Sequence, residues 1–251
     1  TIAEGAALTA QAGAITLEDP DTAMQNAGTF TFSGGDTNLV KIDGLGQTIF
    51  AEGTNISNNA QISQSSVTVN GNLANKSVIK ANEIEITEDG TLTASDAANL
   101  KGIGDATAET TTTVKNAGSL TFVSGTNSNT VEGTGSLIIG TNDDTAVTVG
   151  IQGNITQSTI TIRSNKTLKN SKDGSITTNN LEGNAFENNG LFVLDLQDGS
   201  SYNLQSLTYD DSGAGNVAVT SVTVANLTEG DSITLDLAGK TISQKQVEFH
   251  G

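Results

Sequence analysis

Asn26-Ala-Gly-Thr-Phe-Thr-Phe-Ser-Gly34 and Asn116-Ala-Gly-Ser-Leu-Thr-Phe-Val-Ser-Gly125 are two versions of one phrase. The first leads after 18 residues to Gly44-Leu-Gly-Gln-Thr-Ile49, the second after 17 to Gly133-Thr-Gly-Ser-Leu-Ile138. Further on, Ile62-Ser-Gln-Ser-Ser-Val-Thr-Val69 is echoed by Ile155-Thr-Gln-Ser-Thr-Ile-Thr-Ile162, so the blocks recur in order at offsets of 89 to 93 residues. An internal repeat of this kind is read before any local feature, because it sets the architecture.

Within each phrase apolar and polar residues alternate. Phe30 and Phe32 alternate with Thr29 and Thr31, Val67 and Val69 with Thr68 and Asn70, and Ile160 and Ile162 with Thr159 and Thr161. Alternation with period two, bounded by Gly, Asn and Asp, is the pattern of a half-buried strand. Turns every ~8–12 residues fit a sandwich, a barrel or a solenoid alike. Three features favour the solenoid: near-absence of Pro, strand faces of Thr, Ser and Asn, and a pattern repeated in register. Equivalent positions of successive parallel rungs stack ~4.8 Å apart, where like charges repel but Thr, Asn and Val columns are tolerated. The expected fold is therefore all-β, a parallel β-helix of 10–12 rungs at roughly 22 residues each, with short loop or helical insertions.

Residues 1–189 are expected to form the solenoid, with the duplication over about 26–95 and 116–185. Residues 190–251 read either as further rungs or as a small C-terminal β cap; Leu191-Phe-Val-Leu194 and the alternating Val217, Val219, Val222 and Val224 are their strand signals. Asp19-Pro-Asp-Thr-Ala-Met-Gln-Asn-Ala-Gly28 fits a short capped helix. The β-branched run before the second Asn-Ala-Gly favours a turn there instead. Ser95-Asp-Ala-Ala-Asn-Leu-Lys-Gly102 has a cap, an acid in its first turn and a Gly stop, and reads as a one- or two-turn helix projecting from the coil.

Composition narrows the functional classes. Net charge is −17, with Arg163 the single Arg, so the surface repels phosphate backbones and anionic membranes; neither nucleic acid nor direct membrane insertion by this segment is expected. There is no Cys and one His, His250, at the penultimate position, which leaves no thiolate chemistry, no expected zinc site and no positioned imidazole for a triad. The chain starts at Thr1 with no signal-peptide pattern and no apolar run long enough for a spanning helix, and is expected to be a mature or excised segment.

The phrases Asn-Ala-Gly-Thr-Phe-Thr-Phe, Glu132-Gly-Thr-Gly-Ser-Leu-Ile-Ile-Gly140 and Gly153-Asn-Ile-Thr resemble the passenger regions of bacterial autotransporters and related type V-secreted adhesins, over about residues 26–185. The resemblance implies a right-handed parallel β-helix displayed outside the cell or on the bacterial surface. It does not select one activity, since such passengers include adhesins, aggregation factors, toxins and proteases. The membrane β-barrel that usually follows a passenger is not visible in this sequence.

Paired carboxylates are the remaining catalytic candidates: Asp143/Asp144, Asp195/Asp198 and Asp210/Asp211. Neighbours on a strand point to opposite faces, and Tyr202 and Tyr209 are the only Tyr or Trp for stacking a sugar ring, so these read as solvated loop carboxylates. No catalytic residue and no cofactor is assigned. Calcium is the one ion considered, with Asp195, Asp198, Asp210 and Asp211 as weak oxygen ligands. The expected function is a non-catalytic adhesin-type solenoid, whose partner is a host or neighbouring cell surface or another copy of itself. A structural surface-layer or stalk module is the alternative, and a polysaccharide-active enzyme a minor one.

Overall fold

The computed structural model describes residues 1–11, 13–17, 19, 22–103, 110–170, 174, 176, 189, 190 and 192 in full. It describes the backbone alone at 175, 177, 178, 186–188, 191, 193–196, 201–203, 216–221, 234–236 and 246–250. Among these residues are twenty-eight strands and one three-residue 3-10 turn. All the strand pairings are parallel, which makes the chain a β-solenoid of about eight turns. Along the first sheet Leu8, Phe30, Thr48, Val67, Ile84, Val114, Val131, Ile155 and Ile176 follow one another in register. From Leu8 to Ile176 is 168 residues over eight steps, a mean of 21. A second sheet carries Ile56, Leu73, Leu92, Leu120, Leu137 and Ile160 in the same way. A third runs from Gly125–Asn127 through Val147–Ile151 and Lys166–Asn170 to Leu191–Leu196, Asn216–Ser221 and Gln246–His250.

Strand alternation becomes inside and outside. In Thr29–Phe32, Gln47–Phe50, Thr91–Ala94 and Thr159–Ile162 the burial alternates between half-buried and buried. One continuous core runs up the coil, filled by single Val, Ile, Leu and Phe side chains per position. Phe32 stacks on Phe50 with ring centroids 4.8 Å apart, and Phe30 meets Phe32 edge-on at 4.7 Å. Stacking is the offset geometry that parallel rungs impose on like residues.

Part of the Asn content faces inward, which outward polar columns did not anticipate. Asn38, Asn58 and Asn75 are fully buried and registered on one another. Asn38 Nδ2 donates to Asn58 Oδ1 and Asn58 Nδ2 to Asn75 Oδ1, both at 2.7 Å. The ladder ends where Ala94 takes the next position. Each amide satisfies its neighbour, so burial costs little; a buried amide without a partner would be expensive.

The duplicated phrases build one kind of corner twice. Asn26 Nδ2 donates to Gln47 O (2.9 Å) and to Gln64 Oε1 (2.5 Å), two rungs away. Asn116 Nδ2 donates to Ser136 O (2.9 Å) and to Gln157 Oε1 (2.5 Å). Between each pair lies a glycine, Gly44 at φ +127° or Gly133 at φ +132°. A Cβ there would stand 2.4 Å from Asn26 O or 2.2 Å from Asn116 O. Gly44 and Gly133 are thus required both by backbone conformation and by the bridge that passes them.

The two copies do not lie on the same face. After the first corner, Thr29–Phe32, Gln47–Phe50 and Ser66–Val69 stack in the first sheet. After the second, the homologous Ser119–Phe122, Ser136–Ile139 and Thr159–Ile162 stack in the second sheet. The first-sheet place is taken by Thr113–Asn116, which pairs with Glu83–Ile86. The coil has advanced by one face between copies.

Two local expectations resolve differently. At 19–28 the turn prevails: Ala23–Gln25 is a strand and Asn26 bridges to Ile2. At 95–102 the expected helix is a single 3-10 turn, Ala97–Asn99, capped by Asp96 rather than Ser95. It does not project freely, since Ala97 is buried, and Leu100–Lys101 leaves it to pair with Ile79–Lys80.

Candidate functional site

Of the paired carboxylates, Asp143 and Asp144 lie in a loop between Ser136–Ile139 and Val147–Ile151, not on a strand. Asp143 is not merely solvated. Lys166, buried along its whole length, brings Nζ to Asp143 Oδ1 (2.7 Å), Asp143 O (2.9 Å) and Thr145 O (2.5 Å). The ammonium has three donors and three acceptors, so it is satisfied inside the coil. Thr141 Oγ1 donates to Asp143 Oδ2 (2.6 Å) and Thr145 N to Oδ1 (3.1 Å). The hydrogen bonds from Lys166 and Thr141 lower the Asp143 carboxyl to about 2. This is a latch that ties the 141–146 loop to the third sheet. A carboxyl so committed to the charged form is a poor general acid.

The alternation in Lys166-Thr-Leu-Lys-Asn170 was the available signal for the latch. With Leu168 inward, Lys166 and Asn170 must be inward too, and all three are buried. Asp195 lies in Leu191–Leu196, its backbone registered on Thr220, while Asp198, Asp210 and Asp211 lie outside the described residues, as do Tyr209, Val222 and Val224. Among the described residues no three His, Cys, Asp or Glu gather to hold a metal ion. His250 ends Gln246–His250, with its backbone on Thr220.

The outward sheet faces carry the distinctive surface chemistry. On the first sheet Thr31, Ile49 and Thr68 form one column and Thr29, Gln47 and Ser66 the next. Both columns then meet charge. Glu83 and Glu85 follow, then Thr113 and Lys115, then Thr130 and Glu132. Lys115 Nζ binds Glu83 Oε2 at 2.6 Å, and that bond with the nearby carboxylates raises its pKa.

The second sheet is different. Its outward positions over six successive strands are Asn55 and Ser57, Asn72 and Ala74, Thr91 and Thr93, Ser119 and Thr121, Ser136 and Ile138, Thr159 and Thr161. None is charged, on a chain of net charge −17. Thr159 Oγ1 donates to Ser136 Oγ at 2.8 Å across neighbouring rungs, whereas Ser57 Oγ on the same face is buried with no hydrogen-bond partner. No helix among the described residues is long and apolar enough to cross a membrane. No known protein family, curated protein or solved structure matches this chain.

Proposed function

We propose that this chain is a non-catalytic, surface-exposed solenoid of the adhesin type, akin to an autotransporter passenger, that works by lateral contact. The observation that carries the reading is the run of twelve uncharged outward positions on the second sheet. A flat array of short hydroxyl and amide side chains offers many shallow polar contacts, each weak, which add when they form together. Its partners are a host or neighbouring cell surface, or a second copy of the chain, and its setting is the outside of a bacterial cell.

Beads coated with the chain test this, scored for clumping with one another and for retention on bacterial and host cells. The reading expects at least one of the two, weakened by soluble chain in excess. Beads that neither clump nor adhere contradict it.

A further inference from the structure

The duplication puts one surface on the rod twice. On the first sheet one outward column reads Thr9, Thr31, Ile49, Thr68, Glu85, a residue from each successive strand. On the second sheet the corresponding column reads Thr93, Thr121, Ile138, Thr161, Glu187. The neighbouring columns are Ala7, Thr29, Gln47, Ser66, Glu83 and Thr91, Ser119, Ser136, Thr159. Each patch has a half-buried Ile at its centre with Thr on both sides, of which Thr68 and Thr121 are themselves buried, and Glu closes one end: Glu83 and Glu85 on the first sheet, the Glu187 register position on the second. Because the coil advances by one face between copies, the patches look in different directions. Ile49 and Ile138 are four rungs apart, roughly 19 Å along the axis.

We propose that these are two equivalent docking patches through which copies of this chain pair, making each molecule bivalent so that association continues past the dimer. The proposal rests on the self-association limb of the proposed function and supplies its valence. Two molecules of charge −17 repel, and they approach at least cost along the uncharged rungs of each patch, away from its Glu end. The chain itself supplies a matching surface. Both patches repeat at the same ~4.8 Å rung spacing, so the short side chains of one interlock with those of the other rung by rung, as in paired sheets of identical segments.

The Glu positions set the direction. Antiparallel docking places the Glu end of one patch against the Thr9 or Thr93 end of the other, whereas parallel docking would set Glu against Glu. A patch of five rungs and two columns is smaller than the ~800 Å² per partner of a standard stable interface. One contact is therefore weak and reversible, and the second patch is what turns pairing into growth.

Sedimentation velocity on the full chain over a concentration series decides this. Wild type is expected to grow beyond dimer, Ile49→Lys and Ile138→Lys each to stop at dimer, and Ile49→Lys/Ile138→Lys to remain monomeric. Mixing that double variant with Ile49→Glu/Ile138→Glu should restore association, which also shows that both remain folded. Single variants that grow as wild type does overturn the bivalence. Double variants that still associate alone overturn the patches but leave self-association standing, whereas a wild type that stays monomeric at every concentration overturns self-association itself.

Discussion

Gly133→Ala probes the corner on which the coil turns. The residue sits at φ +132°, where an L side chain costs ~1–3 kcal/mol. Its new Cβ would stand 2.2 Å from Asn116 O, a backbone atom that cannot rotate away. Relief requires the strands to part, which breaks the bond from Gly135 N to Asn116 O (2.9 Å) and strains the bridge from Asn116 to Gln157. At ~1 kcal/mol for each hydrogen bond lost, the total is about 3–5 kcal/mol. Gly53→Ala is the matched control: φ is +74° with nothing within 4 Å, so it pays only for conformation, about 1 kcal/mol. With an m-value near ~3 kcal/mol/M, Gly133→Ala should lower the urea midpoint by roughly 1–1.7 M and Gly53→Ala by a few tenths. Gly44→Ala should behave like Gly133→Ala. Equal midpoints for Gly133→Ala and Gly53→Ala would refute the bridged corner.

Three other outcomes follow from buried polar groups. Asn58→Ala strips Asn75 Oδ1 of its donor and Asn38 Nδ2 of one acceptor, and should cost ~2–3 kcal/mol in urea unfolding, while exposed Asn55→Ala on the same strand should cost almost nothing; equal costs would contradict an inward ladder. Thr48→Val should stabilise the chain by ~1 kcal/mol, because Thr48 Oγ1 is buried with no hydrogen-bond partner between Phe30 and Val67, and a loss of stability would argue against that placement. The Asp143 carboxyl, lowered from 3.8 to about 2, takes up its proton later in the folded chain than in the unfolded one. Its contribution to stability is therefore complete above its unfolded value and lost as pH falls through 3.8 toward 2. An NMR titration of the Thr145 amide, which donates to Asp143, should show a midpoint near 2; one near the ordinary 3.8 would mean the latch is open in solution.

Much of the architecture was legible because a solenoid has few ways to treat alternation. Thr29-Phe-Thr-Phe32 must put Phe inside, and the repeated Gly and Asn mark the corners, so the expected rung of roughly 22 residues lies close to the observed mean of 21. The advance by one face was not legible. Two similar phrases look as though they should stack on each other, and only strand register shows that Thr113–Asn116 has taken the place in between.

The 95–102 segment failed for a related reason. Its local capping signals were real, and Asp96 does cap the turn, but the open edge of Ile79–Ile86 offered Leu100–Lys101 a ladder that a short helix could not outweigh. Lys166 and the Asn ladder were legible in principle from phase, since each occupies an inward position of its strand. The general rule that charged and amide side chains face water hid them. At the candidate surface, the sequence showed Thr, Ser and Asn but not which residues form a column, because that depends on rung lengths of 17 to 30 residues along the first sheet.

The advance by one face is tested most directly by disulfide formation, since the chain has no Cys of its own. In the register observed, Lys115 is the neighbour of Glu85, while Thr121 is on the next sheet. Adjacent parallel strands hold paired Cα atoms at ~4.8 Å, within reach of a disulfide. Under mild oxidation, Glu85→Cys/Lys115→Cys should close to an intramolecular bond seen by mass spectrometry, and Glu85→Cys/Thr121→Cys should stay reduced. The reverse pattern would mean that the copies stack face on face, and would contradict the two-faced arrangement.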